Sequence, residues 1–190
     1  MDSLRNAIDS NINTCGIFAD FMKAFDTVNH PILLKKLESY GIKGIPLKWS
    51  TSYLENRQQY VTVDHIDSPR QAMTCGIPQD STLGPLPFLL YIDDLPNCSN
   101  NLIYRIFADD SNFFASACDL KSLETLINSE LQKVKEWCDV NKLSINFSKT
   151  NYMIIKCYRK TYGTIAIKLQ SMDGSCHLLR KKDHIKYQIG

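Results

Sequence analysis

No strong charge excess marks this chain. Its 22 Lys and Arg stand against 20 Asp and Glu, a formal net charge of +2, so bulk charge is little pointer to nucleic acid. The seven cysteines, Cys15, Cys75, Cys98, Cys118, Cys138, Cys157 and Cys176, form no C-x-x-C pair, and the single Cys176-His177 neighbour has no second pair near it in sequence, which argues against zinc. The cysteine count is odd and no signal peptide is present. Reduced thiols are therefore expected in an intracellular protein of the cytoplasm and nucleus. No apolar run approaches the roughly 18 residues that a membrane helix needs, so no membrane partner is expected. Internal repeats and low-complexity tracts are also missing. What is there is 190 residues with 44% hydrophobic content, enough for one domain with a real core. One local bias stands out. Between Lys156 and Lys186 eight Lys and Arg face only Asp173 and Asp183, which reads as a solvated face or a polyanion contact.

The pattern along the chain alternates strand and helix signals. Residues 14–20 are a short apolar run ending in an acid, the mark of a buried strand. Pro31 opens a helix with Ile32, Leu33, Leu34 and Leu37 on one face, and Gly41 fits its stop. A second short helix follows Pro46. Residues 58–64 alternate like a strand, with 70–76 as a hairpin partner. Residues 81–95 read as a buried helix with Pro85 in its first turn. Two strands, 102–108 and 111–117, are joined through Asp109-Asp110, a hairpin with two acids at its tip. Asp119 caps the clearest helix, on which Leu123, Leu126, Ile127, Leu131, Val134, Trp137 and Cys138 recur at steps of three and four. Strand-like pieces follow at 152–157 and 164–170. This order predicts an α+β fold, an antiparallel sheet with helices packed on one face.

Asp20 closes one predicted strand and Asp109-Asp110 the hairpin. If those strands are neighbours, three carboxylates meet at one edge and repel unless a cation joins them. Oxygen-only ligands select Mg²⁺ or Mn²⁺, and two such ions align an attacking hydroxyl with a leaving pyrophosphate. By itself an Asp-Asp pair in a polar turn is more often turn chemistry; the apolar strands on either side favour function. Asp93-Asp94 has a similar form, Tyr91-Ile92-Asp93-Asp94. It ends a helix, lacks the strand–turn–strand setting, and is read as a pair of exposed residues.

Several stretches resemble, in order, the reverse transcriptase domain of LINE-type, non-LTR retrotransposons. Phe18-Ala19-Asp20-Phe21-Met22-Lys23-Ala24-Phe25-Asp26-Thr27-Val28 resembles the first palm motif. His30 to Tyr40 and Trp49 to Tyr60 resemble the linking helices and strand. Cys75-Gly76-Ile77-Pro78-Gln79-Asp80-Ser81-Thr82-Leu83-Gly84-Pro85 resembles the template and nucleotide loop. Phe107-Ala108-Asp109-Asp110 resembles the catalytic hairpin. Lys142-Leu143-Ser144-Ile145-Asn146 with Lys149-Thr150 resembles the motif after it, and Asp183 to Tyr187 the start of the primer-grip hairpin.

The resemblance implies a polymerase palm that carries out RNA-directed DNA synthesis, moving nucleotides from dNTPs to a primer 3′-OH with two Mg²⁺ or Mn²⁺ ions. RNA template, DNA primer and dNTPs are the implied partners. Asp20 and Asp109 would hold both ions, Asp110 would complete the acidic cluster, and the carbonyl of Phe21 would be a further ligand. Phe25 would lie under the sugar and exclude a ribose 2′-OH. Gln79 would contact nucleotide and template, with Asp80 beside it. Lys149 would protonate the leaving pyrophosphate. Asp26 and Asn29 read as turn and cap residues.

Three positions depart from the pattern. Asp80 replaces a glycine that lets backbone approach substrate closely, Pro87 replaces a leucine, and Gln188 an apolar residue. Residues 1–190 are read as a single partial domain: the palm, with the fingers largely missing before Met1 and the thumb absent after Gly190. These features motivate the expectation that the isolated chain has little polymerase activity. The alternative is a catalytically inactive nucleic-acid-binding fragment of a decayed element. A different two-metal enzyme, a nuclease or cyclase, is opposed by Pro78-Gln79 and Phe25.

Overall fold

The computed structural model describes residues 12–78, 85–107, 110–155, 165–171 and 175–182. Of the predicted site residues, Gln79, Asp80 and Asp109 lie outside this range, as does the expected primer-grip start at Asp183 to Tyr187. The chain divides into two compact units: Met1–Met22 with Leu95–Gly190, and Lys23–Asp94.

The first unit is built on a five-stranded sheet. Its strands are β1 (Asn13–Asp20), β6 (Ile103–Phe107), β7 (Asp110–Ala117), β8 (Asn151–Ile155) and β11 (Arg180–Lys181), in the order β11-β8-β1-β7-β6. Three of the pairings are antiparallel and the edge pair β11–β8 is parallel. A separate hairpin joins β9 (Lys168–Gln170) to β10 (Cys176–Leu178). Successive strand residues face opposite sides of a sheet. Cys15, Ile17 and Ala19 therefore share one face with their partners Ala115, Phe113 and Ser111, and all six are buried.

Helix α4 (Leu120–Val140) packs against β1 and β7, burying Leu123, Ile127, Leu131, Val134 and Cys138. Fully burying an aliphatic side chain of this size stabilises by about 1.5–3 kcal/mol. Asp119 caps the helix as expected, its carboxylate accepting the Ser122 N–H at 2.9 Å. Glu130 breaks the apolar pattern: it lies in the buried stripe and is 2% exposed. It is tolerated because the Ser99 hydroxyl, Asn101 at 2.8 Å and Lys133 at 2.9 Å all bond it. The expected α+β class, with an antiparallel sheet and a helix laid on one face, is what this unit shows.

Among the described residues the second unit has three helices: α1 (His30–Ser39), α2 (Ile45–Leu54) and α3 (Pro85–Ile92). Asn29 caps α1 through its side-chain oxygen, which accepts the Ile32 N–H at 3.1 Å. Gly41, at φ +89°, turns the chain after the helix end. Pro87 stands in the first turn of α3, where a helix has no carbonyl to offer its N–H, so its missing donor costs little. An extended arm pairs β2 (Gln58–Gln59) with β5 (Gln71–Ala72) and β3 (Thr62–Val63) with β4 (Ile66–Asp67), the hairpin expected from residues 58–76. Asp93 is exposed, but Asp94 is not the free surface acid the sequence suggested. It takes the Lys36 ammonium at 2.6 Å, and the same ammonium also bonds the Tyr91 carbonyl at 2.7 Å.

Burial sets a pH signature. It pushes the Cys15 thiol up from 9.0 to about 12 and the Tyr91 phenol up from 10.0 to about 12, with the Asn29 N–H lowering and Asp94 raising the latter. Cys138 and Tyr104 are also raised, chiefly by burial. Each group ionises first in the unfolded chain. Its stabilisation is complete below the unfolded pKa and declines as pH rises from there towards the folded pKa. Lys36 works the other way, since burial lowers its pKa against the pull of Asp94. It is one group against seven, since burial also raises Tyr40, Cys98 and Tyr152. The urea midpoint is therefore expected to fall steadily from about pH 9 to pH 10.5, at up to about 1.4 kcal/mol per pH unit per group. A flat midpoint across that window would contradict the burial of these groups.

Candidate active site

The geometry begins with the register of β1 and β7. Their pairing runs from Asn13↔Ala117 to Asp20↔Asp110, so the last residue of one strand stands opposite the first of the other. Directly opposed side chains share a face, with Cβ atoms about 4.5–5.5 Å apart, and like charges there weaken a sheet. Asp20 and Asp110 lie on the face turned away from α4, together with Phe18, Asn112 and Phe114. Gly16 makes room on this face. A Cβ there would stand 2.9 Å from the Phe114 ring, which lies over the glycine and meets Phe18 edge-on at 6.1 Å.

The hairpin differs from its sequence reading in one respect. Phe107 pairs with Asp110, so Asp110 is already a strand residue and not part of the turn. Its orientation is thereby set by the sheet ladder. Asp109 lies outside the described residues. Phe107, the partner of Asp110, is 81% exposed, a large ring left open beside the acid.

The segment 144–150 holds Asp20 from the other side. The Asn146 N–H donates to the Asp20 carbonyl at 2.8 Å, the Met22 N–H to the Ser144 carbonyl at 2.8 Å, and the Asp20 N–H to Thr150 Oγ1 at 3.4 Å. Phe21 forms a bridge with Ile145 and is 3% exposed. In an extended chain successive carbonyls point to opposite edges. The Asp20 carbonyl is spent on Asn146, and Phe21 follows it in the chain. The Asn146 carbonyl accepts the Lys149 N–H at 3.2 Å, and Lys149 Nζ stands 3.7 Å from Asp20 Oδ2. The lysine side chain is 69% exposed and the aspartate 27%, so this ion pair contributes little to stability.

Sequence reasoning placed Asn146 and Thr150 in a motif without a role. Their work is to fix the main chain of Asp20, and the signal for it is a buried Thr150 just before β8. Phe25 belongs to the second unit, where its ring lies 4.7 Å from that of Phe88, tilted by 37°. Among the described residues no group of three acids, histidines or cysteines gathers that would hold a metal. The donors present nonetheless suit a hard divalent cation: two opposed carboxylates and a carbonyl, all oxygen.

An antiparallel sheet, a helix on one face and an acid pair at the strand ends of the other face define a polymerase palm. Telomerase from Candida albicans, solved in complex with a fragment of telomeric RNA, matches 92% of this chain and 34% of its own with a TM-score of 0.60 at 12% identity. Apo telomerase from Candida tropicalis matches 93% of this chain and 38% of its own, with a TM-score of 0.57 at 12% identity. At such identity the likeness is one of fold.

The chain belongs to the reverse transcriptase (RNA-dependent DNA polymerase) family, whose model matches residues 2–187. Its curated relatives include the RNA-directed DNA polymerase from mobile element jockey of Drosophila melanogaster, 26% identical over 150 residues (75% of this chain, 16% of the relative). The probable polymerase from transposon X-element of the same fly is 29% identical over 176 residues (88% and 19%), and that from transposon BS 30% over 158 (76% and 17%). These are LINE-type, non-LTR elements, the group its motifs resemble. The chain spans less than a fifth of the length of each of these three relatives.

Proposed function

We propose that this chain is the palm of an RNA-directed DNA polymerase, extending a DNA primer on an RNA template with dNTPs. The observation that carries the proposal is the Asp20↔Asp110 pair on the open face of the sheet, in a chain of reverse transcriptase family. Two like charges held opposite each other are unfavourable without a cation, and such a conflict is retained where function requires it.

Asp20, Asp110 and Asp109, with the Phe21 carbonyl, would hold two Mg²⁺ or Mn²⁺ ions. When bound, these ions supply charge neutralisation and activation of the primer hydroxyl. The chain's own contribution is placement. Asn146 and Thr150 lock the Asp20 main chain, and the β ladder aims Asp110. Lys149, drawn towards the site by Asp20, would deliver a proton to the departing pyrophosphate. Phe25 would press on the sugar and reject a 2′-OH, and Gln79 would touch the base pair being formed. The exposed Phe107 ring offers a stacking surface beside the acids.

Primer extension on poly(rA)·oligo(dT) tests this reading. Synthesis that needs dTTP, template and Mg²⁺ or Mn²⁺, and that EDTA stops, is the expected result. Its rate is expected to be low, because Asp80 stands in the sequence where the resembling family carries a glycine. Cleavage of the strands in place of extension would point to a nuclease. Binding of the duplex without any extension would point to a silent remnant.

A further inference from the structure

In the second unit, the chain leading into Gln79 is seated on the loop that carries Phe25. The Ile77 N–H donates to the Phe25 carbonyl at 2.8 Å, and the Gly76 N–H to the Val28 carbonyl at 2.8 Å. Gly76 is at φ +88°, and a Cβ there would stand 2.8 Å from the Asp26 carbonyl oxygen, so only glycine allows this approach. One side chain joins the contact. His30 Nε2 lies 2.7 Å from the Gly76 carbonyl, and the residue is 8% exposed. A carbonyl only accepts, so the ring must carry its proton on Nε2.

His30 is itself held in place. It is the first residue of α1, directly after the Asn29 cap, and Asn29 forms a bridge with Cys75. On the far side of Gln79 and Asp80, Phe88 of α3 packs its ring on that of Phe25. Two anchors, Ile77 and Phe88, thus both rest on Phe25. Main-chain bonds make the first anchor, and His30 is the side chain that ties it down.

We propose that His30 is a positioning residue for nucleotide selection: by holding the Gly76 carbonyl it keeps the segment 75–77 and the Phe25 gate in one fixed arrangement. The proposal rests on the polymerase reading. Its mechanism is geometric. A gate ring discriminates a 2′-OH only if it cannot yield, and Phe25 yields when the segment bonded to its main chain loosens.

The test uses the full 190-residue chain with His30→Phe, which keeps the ring and loses the donor, and His30→Gln, whose amide can restore it. Hydrogen exchange reads the anchor directly. His30→Phe is expected to speed exchange of the Gly76 and Ile77 amides about tenfold or more while leaving those of α4 unchanged, and His30→Gln to restore protection. Single-nucleotide incorporation reads the consequence. The dTTP-over-UTP preference in kcat/KM is expected to fall roughly tenfold in His30→Phe and to recover in His30→Gln. Unchanged exchange at Gly76 and Ile77 would overturn the anchor. Loosened amides with an unchanged preference would make His30 a purely structural residue. A wild-type chain whose amides behave as expected but which incorporates no nucleotide would remove the polymerase reading, and the selection role with it, while the anchor stands.

Discussion

Asp110→Asn is expected to reduce primer extension by a thousandfold or more and, at the same time, to leave the chain as stable as before or slightly more so. The two effects share one cause. Asp110 stands opposite Asp20 on the same face of the sheet, and two carboxylates in that position repel. Asparagine removes one of the charges, which relieves the strand pair by a few tenths of a kcal/mol while leaving the ladder hydrogen bonds intact. The same change strips a hard oxygen ligand from the site, and a divalent cation bound by fewer charged oxygens neutralises less of the transition-state charge. Loss of a stabiliser of developing charge costs about a hundred- to a thousandfold in comparable sites, and a metal ligand sits at the upper end. Asp20→Asn is expected to behave alike, with the added loss of the Lys149 ion pair at 3.7 Å, a contact too exposed to matter to the fold. Extension rates with Mg²⁺ and Mn²⁺, set beside thermal midpoints, decide the matter. Activity within tenfold of wild type would remove Asp110 from the chemistry. A midpoint lowered by many degrees would make the pair a structural feature.

The second large effect concerns the sugar. Phe25→Val is expected to raise the use of UTP relative to dTTP about a hundredfold, the scale at which an apolar pocket discriminates one hydroxyl. The ring cannot turn aside easily, because Phe88 backs it at 4.7 Å and the Phe25 carbonyl is bonded to Ile77. Valine leaves that main-chain bond in place and withdraws only the outer part of the ring. Incorporation of dTTP is therefore expected to survive with a modest loss, and this separates a gate from a general packing role. A ratio of kcat/KM values that does not move would show that Phe25 is an ordinary core phenylalanine.

Local features were the most legible. Asn29 and Asp119 are caps because a short polar side chain can reach an N–H three residues on, and each does. Gly41 ends α1 because a positive φ costs glycine nothing. The apolar steps of α4 anticipated its buried face, except that Leu126 and Trp137 are half-buried and the charged Glu130 is buried. That exception was not readable from periodicity. Its partners Ser99 and Asn101 lie far away in sequence, and only the fold brings them to it. The edge strand β11 escaped notice for a similar reason: two basic residues, Arg180 and Lys181, form a strand only because β8 offers them a ladder. The position of Asp110 was misjudged by one step, from turn to strand, since register across a hairpin is set by pairing and not by the motif.

The amino-acid sequence by itself determined the chemistry available to this protein. Alternating apolar residues specify strands with one buried face, a 3.6-residue period specifies α4, and the ordered motifs specify a reverse transcriptase with acids at two strand ends. The tertiary structure alone decided which of these groups meet. It put Asp20 opposite Asp110, gave Asp94 to Lys36, and turned Asn146 and Thr150 onto the main chain of Asp20. It also laid Gly76 against the Phe25 loop with His30 beneath it. The physical reason is the same in each case. Propensity and periodicity act over a few neighbouring residues, whereas these contacts join chain segments tens of residues apart, and their geometry exists only once the core has closed around it.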